Sequence, residues 1–87
     1  MQITIVNRKL RREAALGLAW FDPDYSLIEL DPRMTPRRRL TILIHEAMHI
    51  AFPDMAESVV DRKSAMIAKL IHKDGYRRNR DLSQFDF

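Results

Sequence analysis

Leu40-Thr41-Ile42-Leu43-Ile44-His45-Glu46-Ala47-Met48-His49-Ile50-Ala51-Phe52 is an apolar run with two histidines and a glutamate set into it. The polar members stand as His-Glu-x-x-His. Residues four apart on an α-helix share one face about a turn from each other, so the His45 and His49 imidazoles can address one ion. Glu46, one position on, is turned about 100° away. It is poorly placed as a further ligand on that face, but its carboxylate can reach a water held by the metal. Leu40, Leu43, Ile44, Ala47, Met48 and Ala51 give the helix a wide apolar surface, which predicts a mostly buried element. Two imidazoles and a carboxylate in such a helix carry a desolvation cost, and a cation is their simplest common partner.

The flanks set the limits of this helix. Thr35 before Pro36 is a good start, with the hydroxyl capping free N–H groups and proline in the first turn, where its missing donor is harmless. Pro53 forbids the preceding residues from continuing comfortably, so the helix is expected from about Pro36 to Phe52. Beyond it, Val59, Val60, Met66, Ile67, Leu70 and Ile71 carry a second helical spacing within Asp54 to Gly75, with Gly75 as the C-terminal cap. The two segments make a helical hairpin.

Upstream, Ile3-Thr4-Ile5-Val6 reads as a strand, and residues Arg8 to Ala15 as a basic loop or one to two turns of helix. Leu16 to Phe21 and Tyr25 to Leu30, around Asp22-Pro23-Asp24, read as a β-hairpin. In its second arm Ile28 and Leu30 share a face and Glu29 takes the other. Gly17 marks either a bulge or a place where another backbone comes close. The expected fold is α+β: a small antiparallel β-sheet, made of the N-terminal strand and the hairpin, packed on the helical hairpin that carries the motif on its first helix. One domain spans residues 1–76. Residues 77–87 form a basic and aromatic tail, in which Phe85 and Phe87 are candidates for docking on the body or on a neighbour.

Composition bounds what such a domain can do. The chain has 87 residues, 46% of them hydrophobic, enough for one modest core. It has no cysteine, so disulfides and thiolate zinc sites are excluded and any metal must use His and carboxylates. The first residues place apolar before basic side chains, the reverse of a secretory signal, and no apolar run approaches 18 residues. A soluble, cytoplasmic protein without membrane contact is expected. The net charge is +3, and the basic residues cluster as Arg8, Lys9, Arg11 and Arg12, as Arg37 to Arg39, and as Arg77, Arg78 and Arg80. Two clusters converging in space would form an anion or nucleic-acid patch. No aromatic residues interleave with them in a stacking pattern, which leaves solvated faces as the simpler reading.

A catalytic zinc takes three protein ligands and a water, so two histidines leave the site incomplete. The ion level lies roughly six residues before Pro53, and the matching level of the returning helix is near residue 59. Glu57 and Asp61 straddle it, one turn apart. Glu57 is favoured for its longer reach, with Asp61 as a partner for an imidazole N–H. Each has a competing role: Asp54-x-x-Glu57 resembles a capping box, and Asp61 stands beside Arg62 and Lys63 for surface pairing. His72 is fifteen residues beyond Glu57, about 22 Å along a helix, too far to share the ion. It suits the last turn as a surface histidine.

Ile44-His45-Glu46-Ala47-Met48-His49 resembles the active-site helix of the zincin metallopeptidases, and the glutamate that follows is similar to the gluzincin pattern. Strand, hairpin, HExxH helix, proline and a helix beginning with glutamate together resemble the minimal zincin-like proteins of phage and prophage genes. The likeness runs from about Gly17 to Tyr76, with its specific part in His45, Glu46 and His49. The chain lacks the HExxHxxGxxH extension of the metzincins. The resemblance implies zinc as the metal, His45, His49 and Glu57 as ligands, and Glu46 as general base in hydrolysis of a peptide or protein substrate. A peptide would lie extended along the Leu16 to Phe21 edge, with Tyr76, Arg77 or Arg78 as candidate transition-state donors. The alternative is a non-catalytic zincin-like metal-binding module that meets nucleic acid or a partner protein through its basic clusters.

Overall fold

A computed structural model describes residues 2–10, 16–22 and 24–78. Five elements follow in order: β1 (Gln2–Asn7), β2 (Gly17–Trp20), β3 (Tyr25–Leu30), α1 (Pro36–Ala51) and α2 (Glu57–Lys73). The helical option for residues 11–15, the turn proline at 23 and the Phe85 and Phe87 of the tail lie outside the described residues.

The α+β architecture and the helical hairpin are as expected, but the sheet is mixed rather than antiparallel. Its order is β1-β3-β2, with β1 parallel and β2 antiparallel to β3. The reason lies at the end of β3. Arg8 N–H donates to the Leu30 carbonyl, Asp31 N–H to the Leu16 carbonyl, and Leu10 N–H to Asp31 Oδ2, 2.9, 2.9 and 3.0 Å respectively. The chain leaving β1 and the chain entering β2 are thus both pinned there, which forces β1 to run alongside β3. Arg33 closes the arrangement on Asp31 through its backbone N–H at 2.9 Å and its Nε at 2.8 Å. These donors hold the buried Asp31 carboxyl far below its ordinary value, the Arg33 side chain most of all.

On the sheet face turned to α1, Gly17 pairs with Leu30 and Ala19 with Ile28. Ile28, Leu30 and Ile50 form the buried core, against which Ala19, Met34, Ile42, Leu43 and Ala47 pack. The opposite face carries Glu29, which is buried rather than half-open. Trp20 Nε1 donates to its Oε1 at 2.6 Å, and Arg8 Nε donates to Oε2, so β2 is clasped to β3 from outside.

Thr35 caps α1 as expected, its hydroxyl accepting from Arg38 N–H at 3.3 Å, and Pro36 occupies the first turn. The helix is the middle layer: β2 and β3 pack on one side of it and α2 on the other, while among the described elements α2 packs on α1 alone. This explains its apolar breadth, although Ile50 rather than Ala51 takes the buried position near its end. It also explains two departures. Ile3 and Ile5 of β1 stay exposed because α1 does not cover that strand. Met66 and Leu70 of α2, expected in the apolar stripe, face outward because α2 has one neighbour only. Its contact face is instead Val60, Ser64 and Ala68, small side chains four apart that let the helices approach closely.

Gly75 ends α2 as expected. With φ at 95° it adopts the left-handed conformation that glycine takes without strain. Gly75 N–H donates to the His72 carbonyl and Tyr76 N–H to the Ile71 carbonyl, the paired bonds of a Schellman cap. No helix of the described residues is long and apolar enough to cross a membrane.

Candidate metal centre

The helix-to-helix turn delivers the site. Phe52 N–H still bonds the Met48 carbonyl, Pro53 stops the ladder, and Met55 N–H turns back onto the Phe52 carbonyl. The chain therefore re-enters helix within a few residues, with Ala56 as N-cap and Glu57 as the first helical residue. The capping-box reading fails here. Asp54 lies in the turn rather than at the cap, no side chain caps α2, and Glu57 stands at the first position instead of the third. A carboxylate at that place favours the positive end of the helix, and it leaves the side chain free to reach α1.

Glu57 reaches both histidines. Its Oε1 lies 2.9 Å from His45 Nε2 and its Oε2 lies 2.9 Å from His49 Nε2. The two Nε2 atoms are 3.1 Å apart, with the rings edge to face at 73°. One donor atom from each of His45, His49 and Glu57 therefore falls within 4.8 Å of the others, the only such group of three among the described residues. On the far side of the ring, His45 Nδ1 is 3.1 Å from Asp61 Oδ1. Asp61 thus takes the imidazole-partner position rather than pairing with Arg62 or Lys63.

This donor set fits a divalent ion. A neutral His45 that gives its Nδ1 proton to Asp61 presents a lone pair at Nε2, aimed at a carboxylate that is acceptor-only and at a second imidazole nitrogen. With His49 in the same tautomer, three lone-pair atoms face one another, an arrangement that positive charge among them would relieve. Metal–ligand bonds of 2.0–2.1 Å in a tetrahedron imply donor edges of roughly 3.3 Å, and one donor atom from each of the three residues lies within 4.8 Å of the others. The Nδ1 partner is also what orients an imidazole ligand in zinc sites.

Glu46 leaves the face that the two imidazoles share, as its position in the helix requires. It is buried at 8% exposure and packs against β2, where a Cβ at Gly17 would lie 3.2 Å from Glu46 Cγ and 2.5 Å from Ile42 Cγ2. Gly17 is therefore neither a bulge nor a backbone approach. It is the point at which side chains of α1 press on the strand, a role that no sequence signal beyond a lone glycine announces. Burial raises the Glu46 carboxyl above its ordinary 4.5, against the pull of His45 and His49 and with a small push from Glu57.

The candidate transition-state donors are not brought to this centre. Tyr76, Arg77 and Arg78 follow α2 at the opposite end of the hairpin, and Arg77 Nη1 is engaged with the His72 and Tyr76 carbonyls at 2.6 and 2.9 Å. His72 is half-buried there rather than at the surface. Desolvation lowers its proton affinity first, with Arg77 and Arg37 adding to the effect. No family model matches the chain, and no curated protein or solved structure matches it.

Proposed function

We propose that the protein is a zinc-dependent metallopeptidase, with His45, His49 and Glu57 as metal ligands and Glu46 as the general base. The observation that carries this reading is the meeting of two Nε2 atoms and the Glu57 carboxylate at 2.9–3.1 Å, with a fourth carboxylate, Asp61, behind His45. When bound, zinc supplies Lewis acidity toward a carbonyl and acidifies a water. Asp61 holds the His45 ring in the tautomer that leaves Nε2 unprotonated. Glu46, neighbouring both ligands in the helix and shielded by β2, takes a proton from the attacking water and returns it to the leaving amine. Its raised proton affinity suits both halves of that task.

The substrate path in this reading is the free edge of β2. Among the described residues that strand pairs with β3 only, and its first residue, Gly17, lies over Glu46. An extended peptide added there brings its backbone past the base.

The test uses the full chain reconstituted with zinc and fluorescein-labelled casein as a generic unfolded substrate. Glu46→Gln should retain one zinc per chain by elemental analysis and a parental circular dichroism spectrum, while cleavage falls by roughly 10²–10⁴-fold. Undiminished cleavage by that variant sinks the assignment of Glu46. A parental protein that retains no zinc after dialysis sinks the metal centre.

A further inference from the structure

Independently of the metal centre, the open end of the hairpin gathers cations around an apolar hollow. A cavity of about 810 Å³ lies between the start of α1 and the end of α2, walled by Leu40, Leu43 and Ile71 and reached by Arg39, Arg77 and Arg78. Two of the basic clusters of the sequence thus converge. No Asp or Glu lines the cavity among the described residues.

Arg33 lies on Asp31 and Arg8 on Glu29. Arg39 and Arg77 meet neutral oxygens instead. Arg39 Nη2 donates to Asn7 Oδ1 at 3.2 Å, while Arg39 Nε is buried and meets no acceptor among the described residues. A buried guanidinium N–H without an acceptor is costly, and a guanidinium edge fits the paired oxygens of a phosphate or carboxylate. The first turn of α1 contains no acid, so the positive end of the helix adds to the local potential instead of being offset. The cavity volume falls within the range of small-molecule sites, and its walls are apolar, with Tyr76 beside the arginines.

We propose that this cavity binds a small amphipathic organic anion: a phosphate or carboxylate held by Arg39 and Arg78, on an apolar chain or ring lying along Leu40, Leu43 and Ile71. Calorimetric titration of the full chain tests it with octyl phosphate, octanoate, inorganic phosphate and octanol. Octyl phosphate or octanoate should bind at least tenfold more tightly than inorganic phosphate and than octanol, and the better of the two identifies the anion class. Arg39→Met should weaken that binding at least tenfold. Arg78→Met, at an exposed position, should weaken it as well and serves if the first variant fails to fold. Equal binding of inorganic phosphate, an adventitious ion only, overturns the proposal, as does equal binding of octanol or no loss in either variant. Tighter binding of oligothymidylate than of octyl phosphate overturns it in favour of nucleic acid. Binding confined to phosphatidic-acid vesicles overturns it in favour of a membrane surface.

Discussion

The two ends of the helical hairpin are built from the same elements and reach opposite electrostatic outcomes. At the Pro53 end, His45, His49, Glu57 and Asp61 interlock, and each polar group has another within 3.1 Å. At the open end, Arg39, Arg77 and Arg78 surround a hollow that no acid lines among the described residues. One end sets two imidazoles against two carboxylates, and the other leaves the buried Arg39 Nε without an acceptor among the described residues. The comparison teaches that helix packing fixes only which residues meet. Which foreign charge each end is suited to follows from the identity of those residues: His45, His49 and Glu57 could hold a cation at one end, and the proposal for the arginines at the other is an anion.

Substitutions can break this contrast, and the largest effect is expected at Glu57. Glu57→Ala should weaken zinc by more than about 100-fold, beyond the 10–100-fold that orienting partners of ligands contribute. Competition against a zinc chromophore measures it, and parental affinity in the variant would remove the turn end from the comparison. Asp61→Ala should fall within the 10–100-fold range itself, with His45 and His49 still binding. A loss as large as that of Glu57→Ala would mean that Asp61 is a ligand.

Smaller effects sharpen the contrast through stability. Gly17→Ala places a methyl 2.5 Å from Ile42 Cγ2, and overpacking of this kind costs about 1–3 kcal/mol. Urea unfolding should show that loss, and casein cleavage should fall with it because Glu46 is displaced too. At the open end the sign reverses: Arg39→Met removes an unmatched donor and should raise the stability of the ligand-free protein by up to about 1 kcal/mol. A destabilised Arg39→Met would show that the cation is already satisfied.

Acid titration separates paired charges from unpaired ones. Glu29, its carboxyl lowered chiefly by Arg8, and Asp31, lowered chiefly by Arg33, both favour the ionised form on folding. Their contribution is present above the ordinary values of 4.5 and 3.8 and is lost as pH falls through the lower folded values. Glu46 runs the other way: raised by burial, it disfavours the fold once pH passes above 4.5. Urea midpoints of the metal-free protein should therefore fall below about pH 4.5. Glu46→Gln should raise the midpoint at pH 7, and an unchanged midpoint would contradict the burial of its charge.

The meeting of His45, His49 and Glu57 was legible in the sequence because its determinants are local. Thr35-Pro36 and Pro53 set the ends of α1, and the short turn after Pro53 set the level at which Glu57 returns. The direction of β1 was not legible, since Ile3 to Val6 alternates identically in a parallel or an antiparallel pair. What decides it is Asp31, a long-range anchor for both neighbouring strands. Periodicity likewise marked Met66 and Leu70 as apolar without saying that α2 has one neighbour. Glu29 read as a solvent-facing acid because its closure depends on Trp20 and Arg8, nine and twenty-one positions away.

Gly17 gives the molecule a fixed gauge. Where the strand crosses Glu46, the gap between sheet and helix is set by a hydrogen atom, and the first carbon that could be added there already overlaps Ile42. The offset between a chain laid along β2 and the Glu46 carboxylate is therefore a dimension of the scaffold, in the way a bore diameter belongs to a bearing. In the proposed substrate path, side-chain changes elsewhere on β2 would alter what is gripped and leave the depth at which it is held unchanged.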